Sequence, residues 1–170
     1  MVEPVVPALT QQFSEDLLFA ALWERVLDEP ARCLLVRATV LRRPGAWSVL
    51  CALAAEAGPQ GAEAAIRHIR DASLLTEIDE RRTAGRLERR FEVHPQVARL
   101  ACQHATAVDV LLSEGHRRTG DFLAERARHA TSWDDDLEAA YHLGEVGEGD
   151  RAFDLTRLRA WWGSSRRAST

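Results

Sequence analysis

No lysine occurs anywhere in this 170-residue chain; all 22 of its basic residues are arginine, as a GC-rich coding sequence would favour. A Schiff-base lysine and a phosphate-loop lysine are therefore both excluded from it. Cysteine is scarce and odd in number: Cys33, Cys51 and Cys102 stand with no close spacing. That argues against a disulfide framework and for reduced thiols in a cytoplasmic protein. Long hydrophobic runs are missing too, since none approaches the roughly 20 residues of a membrane span. The N-terminal stretch lacks the positive region of a secretory signal peptide. Basic charge is not in excess: the net charge is -4, which gives no electrostatic pull toward nucleic acid or anionic lipid. Nor is there a Gly-x-Ser-x-Gly, a glycine-rich phosphate loop, a Cys-x-x-Cys or a His-Glu-x-x-His.

What is present is apolar residue enough for a core, 46% of the chain. Residues 1–13, with Pro4 and Pro7 among small apolar side chains, read as an extended leader. Ser14 has the chemistry of an N-cap, with Glu15 and Asp16 in the first turn where the helix dipole favours them. Leu17, Leu18, Ala21, Leu22 and Val26 follow as one apolar face, with Trp23 beside it. Pro30 opens a second helix whose buried stripe is Leu34, Leu35, Ala38 and Leu41, ending at Pro44-Gly45. A third is expected from about Ala46 to Ala57, with Val49, Leu50 and Leu53 inward and Gly58-Pro59 after its end.

The stretch from Glu63 to His94 organises the rest. Ala64, Ile66, Ile69, Ala72 and Leu75 recur near helical spacing, and Ser73 ends that pattern. Leu74 to Ile78 reads as a short strand. Asp79 to Arg90 is polar, carries Gly85 and can turn. Phe91 to Val93 resumes a β-prone run that Pro95 stops. Helix, strand, turn and strand after earlier helices is the order of a winged-helix unit, placed at residues 14–95 with a small two-stranded wing.

Beyond Pro95 the pattern is helical. Val97 to Ala107 supplies one helix, which Val108 to Leu112 continues or restarts. Ser113 and Glu114 open another through Phe122, Leu123 and Ala127. Thr131 or Ser132 caps a helix that starts on Asp134, Asp135 and Asp136 and runs through Leu137, Ala140, Tyr141 and Leu143. Gly147 to Asp150 turns into a last helix with Ala152, Phe153, Leu155 and Leu158, reaching Trp161-Trp162. Leu143-Gly144, Tyr141, Ala152 and Phe153 are in the spirit of a tetratricopeptide repeat, out of strict register. The fold class expected is thus mainly α: a winged-helix domain followed by antiparallel, TPR-like α-hairpins over residues 96–162, with 163–170 a flexible tail.

The runs ARCLLVRATVLRRPGAWSVLCALA, AAIRHIRDASLLTEID and RFEVHPQVARLA together resemble the winged-helix segment of STAND NTPases, which leads there into helical repeats that sense a ligand or partner. The resemblance spans roughly Leu17 to Leu158. Its most specific piece is Phe91-Glu92-Val93-His94-Pro95, similar to that family's Met-His-Asp position. Val93 stands for the Met and Pro95 for the Asp, as in bacterial members with a Val-His-Pro version. The resemblance implies that His94 would approach a nucleotide phosphate, with an ATPase core supplied in trans or from upstream. The P-loop itself is absent from this chain, which has no lysine for it.

Three functional expectations follow. The leading one is a non-enzymatic regulatory or scaffold module, without a cofactor, that binds a protein partner or itself through Phe153, Leu158, Trp161 and Trp162. Adjacent tryptophans on a helix point about 100° apart, so both cannot sit deep in a one-sided core, and exposed large aromatics mark docking surfaces. The second is a DNA-binding regulator using Arg67 and Arg70 on the helix with Arg81, Arg82 and Arg86 on the wing. Glu63, Asp71, Glu77, Asp79, Glu80, Glu88 and Glu92 are interleaved with them, whereas phosphate binding wants one sign of charge. The third is an accessory to a STAND-type ATPase through His94; the ordinary reading of His94 is a strand-end histidine bonded to backbone. Cys102, His104, His116 and His129 lack metal-ligand spacing.

Overall fold

The structure is a computed structural model that describes residues 6–83, 86–130 and 133–157, with side chains for 15–78, 89–129 and 133–157. The chain is mainly helical with one small antiparallel sheet. In order it runs α1 (Val6–Arg25), α2 (Glu29–Ala38), β1 (Gly45–Ala46), α3 (Trp47–Leu53), a 3-10 turn (Ala55–Ala57), α4 (Gly58–Asp71), β2 (Thr76–Thr83), β3 (Arg86–Glu92), α5 (Pro95–His104), α6 (Val108–Ala130) and α7 (Trp133–Glu145). Residues 149–157 are helical again. No helix among the described residues is long and apolar enough to cross a membrane.

The expected extended leader is helical from Val6. Pro7 is no obstacle, because a proline in the first turn gives up an N–H that has no intrahelical partner there. The face expected to be buried on α1 is also wrong. Leu17 is 58% exposed, Leu18 63% and Val26 45%, while Phe19, Trp23 and Leu27 are buried. Residues 17–23 are all apolar, so periodicity cannot choose a face. The two large rings decide it, since they hide the most area. Phe19 and Trp23 stack at 5.9 Å and lie 5.7 and 6.1 Å from the His104 ring at the end of α5.

α2 keeps Leu34, Leu35 and Ala38 of its expected stripe but ends at Ala38, short of Pro44-Gly45, so Leu41 lies beyond the helix and half-buried. Asp28 caps it, its Oδ1 accepting from the Ala31 N–H at 3.0 Å, and Pro30 sits in the first turn. Leu34 and Leu35 are fully buried and Ala38 nearly so. α2 packs against α3, α4, α5 and α6, so it is the central post of the molecule. Val49, Leu50 and Leu53 of α3 and Ile66 and Ile69 of α4 close the core around it.

The sheet has three strands, not two. Gly45 and Ala46 pair with Phe91 and Arg90, so β3 lies between β1 and β2. A two-residue strand has no periodicity to read; only its partner makes it one. β2 and β3 also reach further into the charged stretch than expected, pairing as far as Thr83 with Arg86. A register shift between Ile78 and Arg81 puts one extra residue on β2, a bulge. Phe91 plugs the sheet into the core at 1% exposure, its ring 5.7 Å from Trp47.

Residues 108–130 form one helix where two were considered. The Ser113-Glu114 start signal is overridden because α6 packs along its length on α2, α3 and α7. A Cβ at Gly115 would fall 2.8 Å from the Arg37 carbonyl oxygen and 3.1 Å from the Arg37 Cα. Glycine there lets α6 come down onto the α2 backbone. Leu143 of α7, fully buried, sits against Gly120. By contrast Leu137, on the same helix, is 43% exposed.

Candidate functional site

Two polar clusters lie where α6 meets its neighbours. The first centres on Arg37, which the α2 stripe carries into the interior at 5% exposure. Its guanidinium is hydrogen-bonded to Glu56, on the 3-10 turn, and to Glu114, on α6. It also donates to the Leu53 carbonyl at 3.3 Å. Arg118, one turn along α6, pairs with Glu56, approaches Glu114 at 3.8 Å and donates to the same Leu53 carbonyl at 3.4 Å. Two cations and two anions thus tie α2, the end of α3, the 3-10 turn and α6 together. Burial by itself would lower the Arg37 pKa, but the hydrogen bonds and charges of Glu56 and Glu114 outweigh it and raise it. Burial likewise pushes the Glu56 carboxyl up; the Arg37 hydrogen bond, its own backbone N–H and the Arg37 and Arg118 charges hold it below the usual range.

The second cluster is at the α6–α7 contact. His116 Nδ1 and His142 Nδ1 are 3.0 Å apart, so one ring donates its N–H to the bare nitrogen of the other. His142 is 1% exposed. Tyr141 stands against both rings, at 6.0 and 5.1 Å. The Arg42 guanidinium lies 3.7 Å from the centre of the Tyr141 ring and bonds Glu138 at 2.9 Å, with Arg43 on the same carboxylate at 3.2 Å. Burial first, then the His116 and Arg42 charges, lowers the His142 pKa to about 4. Burial also lowers that of His116, against the pull of the Glu145 carboxylate. Nearby, the Thr119 hydroxyl is fully buried with no hydrogen-bond partner among the described residues.

The residues singled out by sequence are spread over the molecule. His94 is exposed at the N-cap of α5, its Nδ1 accepting from the Gln96 N–H at 3.2 Å. Arg67 pairs with Glu63 and Arg70 with Asp71, the latter at 3.2 Å, each on its own helix turn. Arg81, Arg82 and Arg86 lie on the β2–β3 hairpin, opposite Glu88, Leu87 and Thr83 in register; their side chains are outside the described set. Phe153 is 61% exposed. Leu158, Trp161 and Trp162 lie outside the described residues. Cys102 Sγ is 3.8 Å from the Thr39 hydroxyl, and His129 pairs with Glu125 at 3.1 Å. No group of three or more His, Cys, Asp or Glu among the described residues is placed to hold a metal ion. A cavity of about 20 Å³, room for about one water, lies among Thr39, Leu50, Leu75 and Phe91.

Sequence reading missed both clusters because their members are remote: Glu114 is 77 positions from Arg37, and His142 is 26 from His116. One signal was available. Arg37 interrupts the Leu34, Leu35, Ala38 stripe, and an arginine among core positions needs a carboxylate. No protein-family model, no curated protein and no solved structure matches this chain.

Proposed function

We propose that the chain is a winged-helix unit extended by α-hairpins and acts as a protein-binding regulatory or scaffold module. The order α2, β1, α3, α4, β2, β3, with β3 between β1 and β2, supports the winged-helix part. The helices after β3 support the hairpin part: α6 and α7 lie side by side, and a tight turn leads from α7 to the next helix.

The observation that carries the binding role is apolar exposure on the last helices. Trp133 and Leu137, four residues apart and so on one stripe of α7, are 50% and 43% exposed, and Phe153 follows at 61%. Side chains of this size left in water are what a docking face is made of. The proposed binding residues are Trp133, Leu137 and Phe153 together with the sequence candidates Leu158, Trp161 and Trp162, and self-association is their simplest use. Sedimentation over a concentration series tests it. The wild-type chain is expected to associate as concentration rises, and Leu137→Ser with Phe153→Ser to stay monomeric. A wild-type monomer throughout, together with unchanged behaviour of Trp161→Ala and Trp162→Ala, refutes the face.

The DNA-binding alternative has less support. Arg67 and Arg70 are each spent on a carboxylate of their own helix, and Arg89 stands 3.4 Å from Glu77. Neutralised cations release fewer counterions from a phosphate backbone. A nucleotide role for His94 in trans, with a STAND-type ATPase as partner, has to compete with the bond His94 already accepts from Gln96.

A further inference from the structure

We propose that the His116–His142 pair is an acid-sensitive latch that holds α7 on α6 while the two imidazoles share at most one added proton, and that frees α7 when both are charged. The inference does not rest on the docking face above. It starts from the 3.0 Å approach of two Nδ1 atoms. With both rings neutral, one N–H meets one lone pair. A single added proton leaves one donor and one acceptor facing each other, so the bond survives. A second proton puts two N–H groups and two positive charges nose to nose.

His142 cannot escape by turning to water, because at 1% exposure its ring is enclosed by the helix contact itself. Relief requires α7 to leave α6. The surrounding charges set the balance. From the segment after α2, Arg42 adds a third positive charge over Tyr141, partly offset because Glu138 of α7 binds Arg42 and Arg43. From α7, Glu145 favours a proton on His116. On α6 itself, the neighbouring Arg117 is occupied by Glu148 at 3.6 Å. The first proton therefore goes to the outer ring, His116, and the second, on His142, is the one that opens the latch. α7 is also tied to α6 by Arg126, which grips Asp135 through two bonds of 2.8 and 2.6 Å, and by Leu143, which packs on Gly120.

Hydrogen–deuterium exchange on the full chain tests this, read as protection factors for α7 amides against α2 amides at pH 7.5 and pH 5. With His142 near 4 when docked and about 6.5 when released, α7 protection is expected to differ roughly thirtyfold between the two pH values and to stay below that of α2 at pH 5, because α7 opens without α2. His142→Gln keeps a polar neutral side chain and should abolish the difference. If that variant does not fold, His116→Gln, at a half-buried position, should shrink it. α7 amides as protected as those of α2 at pH 5, or the same acid-induced loss of α7 protection in a folded glutamine variant, overturns the latch.

Discussion

At Gly115 a single missing methyl group decides how close two helices come. The Cβ of alanine would sit 2.8 Å from the Arg37 carbonyl oxygen, a backbone atom that cannot swing aside. Gly115→Ala is expected to destabilise the fold by about 2 kcal/mol, although alanine is the better helix former. Urea unfolding checks it; a gain in stability would mean that α6 is not held this close to α2. The same contact explains why Arg37 is tolerated in the core. Its charge is met by Glu56 and Glu114, and both carboxylates reach toward solvent as well as toward it. The cysteines are less consequential. All three are free and half-buried. Burial raises the thiols of Cys33 and Cys51, helped by Glu29 and Glu63 respectively, so both stay protonated and poorly reactive at neutral pH.

Two helices end with the same device but different chemistry. After α7 the Glu148 N–H bonds the Leu143 carbonyl at 2.9 Å and the Gly147 N–H bonds Gly144 at 3.0 Å, with Gly147 at φ +77°. After α4 the Leu74 N–H bonds Ile69 at 3.0 Å and the Ser73 N–H bonds Arg70 at 2.8 Å, with Ser73 at φ +59°. Both are Schellman ends, and glycine is the residue that adopts this conformation without steric cost. Serine is strained there. Ser73→Gly should therefore raise stability by about 1 kcal/mol, seen as a higher urea midpoint with an unchanged slope. A lower midpoint would show that the Ser73 side chain, not the backbone, matters at the entry to β2.

For the molecule as a whole, the shifted groups define a stability plateau with two edges. His142 and His116 are favoured neutral in the fold, so their contribution is complete above about pH 6.5 and is lost as pH falls. For His142, going from 6.5 to about 4, linkage makes that loss about 3 kcal/mol. Glu56, held low, adds a further loss once pH drops below the ordinary carboxyl range. Cys33 and Cys51, held above 9.0, favour the thiol in the fold, so they cost stability only as pH rises past that value. Unfolding free energy should be flat between about pH 7 and 9 and fall steadily below 6.5. Equal urea midpoints at pH 7.5 and pH 5 would contradict the buried imidazole pair.

Local spacing was enough to find α2, the inward face of α3, the helix–strand passage at Ser73 and the end of β3 at Pro95. In each of these the deciding forces act between residues a few positions apart: capping, proline geometry, an apolar stripe with a polar complement. Local spacing was not enough where apolar residues surround a helix, as on α1, or where a strand is too short to have a period, as at Gly45–Ala46. Both polar clusters were likewise hidden. Whether Arg37 meets Glu114, or His116 meets His142, depends on which helices lie side by side and how deep they sit, and packing around α2 sets that. Residue chemistry along the chain therefore determined the elements; only the closing of α6 onto α2, and of α7 onto α6, decided which buried charges and imidazoles would face each other.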